Sequence, residues 1–255
     1  MDSNLIFITV FNYGGIELAL NHYKTLTNQG ITNYMAFVTD EESLRVMREH
    51  GYNVSLIENQ GIDKNQMDFC KGDFNKLSFL RYVISAQLMS QGNDVWYMDI
   101  DTVVLKDVCK IYELYKQTGS DIILQNDINM ACSGCILFIA SPDTIKIANF
   151  VIQIKDNFLN DQYSLNHILR IIPELYKKQV LSKVLKIDLF STQQFPNGLL
   201  YFLDEDLVQV PPQYVETKKT FQTSPPDLYF VHANWMLGIE TKINAFKKMG
   251  LWTIV

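Results

Sequence analysis

Val95-Trp96-Tyr97-Met98-Asp99-Ile100-Asp101 is a short apolar strand that runs straight into two aspartates one residue apart. A strand entering a loop there pushes both carboxylates out at the edge of a sheet. Two anionic oxygen ligands at that spacing suit a hard divalent cation, Mg²⁺ or Mn²⁺, which can hold a diphosphate at the same time. The D-x-D pattern alone is weak in an acidic chain. Its weight comes from the apolar strand before it and from partners later in the sequence.

Upstream of this stretch, apolar runs alternate with helical patterns. Leu5–Phe11 reads as a strand, Asn12-Tyr13-Gly14-Gly15 as a loop and Ile16–Asn28 as an amphipathic helix. Tyr34–Val38 reads as a second strand. Thr39 with Glu42 forms a capping box for a helix over residues 40–50, which Gly51 stops. A third strand spans 54–57, and a polar loop over 58–73 leads to a long helix, 75–91, closed by Gly92. Repeated strand–helix units imply a largely parallel sheet with helices on both faces. Ligands bind such sheets beyond the carboxyl ends of the strands, where Asn12, Asp40, Asp99 and Asp101 fall.

The second half is less regular. Strands are expected at 121–124 and 136–140, and Pro142 starts a helix that runs to about Phe158. Asn160-Asp161-Gln162 precedes a helix ending at Ile172, and Pro173 opens another. Further strands are expected at 184–187, 200–203, 207–210 and 228–231, and a last helix at 242–249. No internal repeat, low-complexity tract or linker interrupts the 255 residues, which are enough for one large α/β domain.

A net charge of −6 argues against a sequence-blind electrostatic grip on nucleic acid. An anionic substrate then needs a local device, such as a bound metal ion. The longest apolar runs fall far short of the roughly 18 residues that span a bilayer. Met1-Asp2-Ser3-Asn4 carries no basic region or cleavage site, so cytoplasm is the expected location. Cys132-Ser133-Gly134-Cys135 is formally C-x-x-C but opens into a strand rather than a helix, and no second pair has zinc spacing. Reduced, buried thiols are the expectation.

Each remaining polar residue has a plain structural reading. Asp161 can cap a helix, and His232, after the apolar run 228–231, can be a hydrogen-bonding core histidine. Lys76, Arg81 and Lys242 can be surface charges, and Asn12 a turn residue. What favours a site is that all of them point at one sheet edge.

Val10-Phe11-Asn12, Asn75-Lys76…Arg81, the aspartate stretch, Ala131-Cys132-Ser133-Gly134, Asn160-Asp161-Gln162 and His232-Ala233-Asn234-Trp235…Gly238…Lys242 occur in that order. In this the chain resembles the nucleotide-diphospho-sugar transferases, retaining GT-A-fold glycosyltransferases of family 77 and relatives of family 8. The resemblance spans nearly the whole chain. The aspartate motif, Asn-Asp-Gln and His-Ala-Asn-Trp are its specific parts, and the N-terminal third is generic.

The fold implied is α/β, a single GT-A (Rossmann-like) domain over 1–255. Its mostly parallel central sheet is flanked by helices, with a small antiparallel C-terminal part. Residues 1–105 form the nucleotide-binding half and 106–255 the acceptor and catalytic half. The resemblance assigns Asp99, Asp101 and His232 to Mn²⁺ or Mg²⁺, with Asp99 also touching the ribose. Lys242 would neutralise the leaving diphosphate. Val10, Asn12 and Asp40 would border the base and ribose, and Lys76 and Arg81 would reach the sugar or phosphates. Ser133 and Gly134 would line the donor sugar, with Asn234 and Gly238 in the same donor-binding set. Asp161 and Gln162 would sit beneath the anomeric carbon.

The implied partners are a UDP-sugar donor and a glycan, protein or small-molecule hydroxyl acceptor. Donor cleavage builds positive charge on the sugar and negative charge on the leaving group. A metal ion with a lysine answers the second, and a carboxylate or amide oxygen the first. Asp161 suits a covalent nucleophile and Gln162 electrostatic help, and both routes stay open.

Two features depart from the family pattern. The lysine follows the histidine at a longer spacing than in family 8, and the membrane anchor of most eukaryotic members is absent. The second points to a soluble, microbial or viral version.

Two rival readings stand beside this one. Asp99-Ile100-Asp101-Thr102-Val103 also matches the start of haloacid-dehalogenase-type phosphatases, with Asp204-Glu205-Asp206 as the later acidic pair. A non-catalytic sugar-binding module on a transferase fold is the other. A self-glycosylating protein is a variant of the leading reading, with 13 tyrosines to draw on.

Overall fold

Side chains alternate along each central strand, and both alternating sets are apolar, so a helical layer covers each face of the sheet. The computed structural model describes residues 4–58, 61–65, 73–202 and 227–254. In it, β1 (Leu5–Phe11), β2 (Tyr34–Val38), β3 (Val54–Leu56), β4 (Asp94–Met98), β6 (Ile122–Asp127), β7 (Met130–Phe138) and β8 (Ile187–Leu189) form one sheet. Its order is β3-β2-β1-β4-β7-β6-β8, and every pairing is parallel except those made by β7. A second, antiparallel sheet joins β5 (Thr102–Val104) to β9 (Phe230–His232).

Phe7 and Phe11 of β1, Trp96 and Met98 of β4, and Leu137 of β7 face one way. They pack with Tyr23 and Leu26 of α1 (Ile16–Asn28), Met47 of α2 (Glu41–Glu49) and Tyr112 of α4 (Cys109–Gln117). Ile8, Val95, Tyr97, Ile136 and Phe138 face the other way. There they meet α3 (Phe74–Ser90), α5 (Pro142–Gln153) and α6 (Asp161–Lys177). This period of two with both faces buried is what a mostly parallel, doubly covered sheet requires. A third cluster of Val103, Val231, Phe202 and Phe246 joins the small sheet to α7 (Gly198–Tyr201) and α8 (Ile239–Lys248). No helix among the described residues is long and apolar enough to cross a membrane.

The elements depart from expectation in several places. Asp40, not Thr39, caps α2, because its Oδ1 accepts the Ser43 N–H at 2.8 Å. Asn160 caps α6, so Asp161 lies inside the helix rather than capping it. Pro173 does not open a new helix. Helix α6 continues through it to Lys177, with Leu165, Ile168 and Ile172 buried against the core, although a proline inside a helix removes one backbone hydrogen bond. Of the strand expected at 200–203, Leu200 and Tyr201 belong to the short helix α7, whose Asn197 cap takes the Leu200 N–H, and residue 203 lies outside the described residues. The one expected at 184–187 pairs further along, at Ile187–Leu189. Helix α4, although amphipathic, was missed, and the three residues of β5 are too few to show a period. The expected strand 207–210 and Asp204-Glu205-Asp206 lie outside the described residues.

The cysteine pair sits inside β7, which is longer than expected. Cys132 and Cys135 are buried free thiols, and burial pushes both above their ordinary pKa, Cys135 to about 12.

Candidate active site

Strand register brings the proposed metal ligands together. The Asp99 N–H donates to Gly134 O at 2.7 Å, extending the β4–β7 ladder one step past Met98. In the second sheet Thr102 lies opposite His232, and the Ala233 N–H donates to Asp101 O at 2.8 Å. His232 Nε2 is therefore 3.2 Å from Asp101 Oδ1 and 3.9 Å from Asp99 Oδ2. One ligand atom from each of Asp99, Asp101 and His232 lies within 4.8 Å of the others. Two carboxylate oxygens and one imidazole nitrogen fit Mn²⁺ or Mg²⁺ better than a thiolate-preferring metal.

Gly134 keeps this space open. A Cβ there would stand 2.4 Å from Asp99 Oδ2 and 2.5 Å from His232 Cε1. The Lys242 ammonium, on α8, is 2.6 Å from Asp101 Oδ2. Burial by itself would raise the Asp101 pKa, but the adjacent Lys242 ammonium opposes it, and the carboxyl stays well below the ordinary carboxylate range. His22 of α1 steadies the backbone beneath. The single hydroxyl proton of Thr102 goes to Asp99 O at 2.8 Å, so that hydroxyl accepts from His22 Nδ1 at 2.9 Å.

A bulge shapes the neighbouring wall. Leu124 pairs with Ile136 but Gln125 pairs with Cys132, which leaves Ser133, Gly134 and Cys135 without partners on β6. Bulges of this kind re-aim side chains and free backbone groups. The Arg81 guanidinium donates to the freed Ser133 carbonyl at 2.6 Å, and Gln162 Oε1 takes the Ser133 N–H at 3.1 Å. Arg81 also lies 3.3 Å from Asp99 Oδ1 and 3.5 Å from Asp161 Oδ2, and stacks 4.5 Å over the Tyr97 ring. Burial would pull its pKa down, but the carboxylates of Asp161 and Asp99 push it well above the ordinary value. Arg81 is thus a buried clamp between two site carboxylates, not a surface charge. The Tyr97 hydroxyl donates to Asp99 at 2.5 Å and the Tyr82 hydroxyl to Asp161 at 3.2 Å.

Asp99, Asp101, His232, Lys242, Arg81, Ser133, Gly134, Asp161 and Gln162 line one cleft of about 600 Å³, together with Val10, Asn12, Asn234 and Gly238. The Asn12 amide donates to Asp63 O and Asn65 O, both at 2.7 Å, and so straps the loop 61–65 against the end of β1. Trp235, in the left-handed region at φ 69°, has its indole N–H on Asp127 Oδ1 at 2.5 Å. Gln162 donates to the other oxygen of Asp127 at 3.1 Å. Leu159 and Leu237, 65% and 76% exposed, lie at the cleft with Tyr163 and Trp235 and give it an apolar margin.

Two residues of the expected set do not line the cleft. Asp40 is outside the cleft lining, with its carboxylate spent on Ser43 and on the Tyr13 N–H. Lys76 projects into solvent and pairs with Asp73 one turn away. Every other residue expected in the site lines the cleft. Gln125, Asp127, Tyr82, Tyr97 and Trp235 were not foreseen as site residues. Two of them carried a signal: Tyr97, standing two residues before Asp99 and hence on the same strand face, and Trp235, the last residue of the His-Ala-Asn-Trp block.

Residues 29–246 match the family model for nucleotide-diphospho-sugar transferases. No curated protein sequence matches the chain. Among solved structures, 99% of the chain superimposes on the apo bifunctional glycosyltransferase WbbM, with a TM-score of 0.60 at 12% identity. The chain spans about half of that protein, 52% of its length. It also superimposes on apo mouse xyloside xylosyltransferase 1, with a TM-score of 0.51 at 12% identity, covering 90% of this chain and 97% of that one. At these identities the likeness is one of fold.

Proposed function

Since this chain belongs to the nucleotide-diphospho-sugar transferase family, we propose that it is a divalent-cation-dependent glycosyltransferase. It would move a sugar from a UDP-sugar to a hydroxyl acceptor with retention of anomeric configuration. The observation that carries this reading is the meeting of Asp99, Asp101 and His232 within 4.8 Å, beside Lys242 and at the wall of the cleft.

Asp99, Asp101 and His232 would hold Mn²⁺ or Mg²⁺, which when bound supplies Lewis-acid stabilisation of the leaving diphosphate. Lys242, already within reach of Asp101, adds a second positive charge on that side. Val10 and Asn12, at the carboxyl end of β1, border the nucleotide. Ser133 and Gly134, exposed by the bulge, and Asn234 and Gly238 bound the donor.

Arg81 fixes Asp161 relative to Asp99, so the carboxylate facing the developing positive charge moves little during reaction. Gln162 is held from both ends, by the Ser133 N–H and by Asp127, and offers its remaining oxygen lone pair beside Asp161. Asp161 serves as nucleophile if a covalent intermediate forms, and Gln162 as electrostatic partner if the acceptor attacks from the leaving-group face. A glycan, protein or small-molecule acceptor would enter past the apolar margin at Trp235 and Leu237.

Calorimetric titration with UDP and GDP, each with Mn²⁺ or with EDTA, tests the donor site. UDP binding that requires Mn²⁺ is expected. UDP binding of equal strength in EDTA would remove the metal from the account, and preference for GDP would change the donor.

A further inference from the structure

We propose that Gln125 is a positioning residue that fixes which nitrogen of His232 carries the proton, leaving Nε2 as a bare lone pair aimed at Asp99 and Asp101. The inference rests on the metal-site reading above. Gln125 lies on β6 at the bulge and is fully buried. Its side-chain nitrogen faces Pro196 O at 2.9 Å and Phe195 O at 3.4 Å. Only the NH₂ end of an amide can face two carbonyls, because the flipped amide would crowd three acceptors together. The amide oxygen is therefore committed to the opposite side, where it stands 2.7 Å from His232 Nδ1.

An amide oxygen only accepts, so Nδ1 must donate. A neutral imidazole has one N–H, so Nε2 is left unprotonated. Cys132 Sγ also lies 4.0 Å from Nδ1, but that sulfur already receives the Gly134 N–H at 3.4 Å and the Asn234 amide at 3.7 Å. Without the Gln125 oxygen, the ring could place its proton on Nε2 against Asp101, 3.2 Å away, and an incoming cation would have to displace it. A metal-binding histidine commonly has its other ring nitrogen fixed in this way, and loss of the fixing group weakens metal binding roughly ten- to hundredfold.

Long-range ¹H–¹⁵N spectra of the metal-free protein, taken at alkaline pH where imidazoles are neutral, read the tautomer directly. His232 is assigned by its absence in His232→Asn. The Nδ1–H pattern is expected, and an Nε2–H pattern for His232 would overturn the proposal. Gln125→Met and Gln125→Glu both remove the donors facing Phe195 and Pro196, but only the Glu variant keeps an acceptor toward Nδ1. Both should lower the melting temperature. In the Met variant alone, His232 should move toward the Nε2–H form and Mn²⁺ affinity, read by paramagnetic resonance, should fall about tenfold or more. Equal losses of affinity in the two variants, following stability, would make Gln125 merely structural. If the wild-type protein fails to bind Mn²⁺, the metal-site reading falls and this one with it. The tautomer spectrum, recorded without metal, tells the two failures apart.

Discussion

The space that a methyl group would fill at Gly134 is the space between Asp99 and His232. Gly134→Ala should therefore abolish Mn²⁺-dependent UDP binding while leaving the melting temperature close to wild type, since the clash falls on site side chains and not on the core. Unchanged UDP affinity in a calorimetric titration would contradict this. At this scale the sequence was informative where chemistry demands a residue type in a set position. Asp99, Asp101 and His232 belong to that class, and all three converge. Gln125 and Asp127 do not. A neutral amide and a hairpin carboxylate acquire a role only through the bulge between Leu124 and Gln125, and nothing in local composition announces a bulge. Asp40 shows the ambiguity of such a position, because a carboxylate at a strand's end serves equally well to cap the next helix, as it does here.

Among the elements, β4 carries both the core and the aspartates. Trp96, fully buried, lies between the rings of Phe7 and Phe190, with centroids 5.5 Å and 5.2 Å away. Trp96→Ala should lower stability to denaturant by about 3–5 kcal/mol, and a loss well below that range would mean the strand is not anchored there. At the start of α2, Asp40→Ala should cost about 1 kcal/mol through loss of the cap. UDP affinity should be retained, and its loss would return Asp40 to the nucleotide site. The strands that read as nearly continuous apolar runs, β1, β2 and β4, were legible within a residue or so. Helix α7 was mistaken for a strand because its four residues are too few to show a period. Strand β5 is three residues long and gains its identity from pairing with β9 far along the chain.

Taken as a whole, the molecule rests on groups that must stay neutral or charged inside it. His22 is buried between α1 and Thr102, and burial lowers its pKa from 6.5 to about 4, against the opposing pull of Asp101 and Asp99. Because the unfolded chain binds the proton more tightly, stability falls as pH drops from about 6.5 to 4, by an amount on the order of 3 kcal/mol. The depressed Asp101 carboxyl adds stability above its unfolded pKa, near 4, which is lost only at lower pH. His22→Gln should flatten the first limb and leave the second, and an unchanged curve between pH 6.5 and 4 would place the titration elsewhere. The layered architecture was legible because alternating strand–helix units admit few arrangements. The placement of His232 beside Asp101 was legible only through the family resemblance, since physically it depends on a two-stranded sheet closing across more than a hundred residues.

The central claim is that paired aspartates and a distant histidine make a cation-dependent nucleotide-sugar site. Its most direct test is UDP release from a panel of UDP-sugars, with Mn²⁺ or EDTA, by the wild-type protein and by Asp101→Asn. Release by the wild type from at least one donor, abolished both by EDTA and by the substitution at an unchanged melting temperature, is the predicted result. Undiminished release by Asp101→Asn in excess chelator would contradict it.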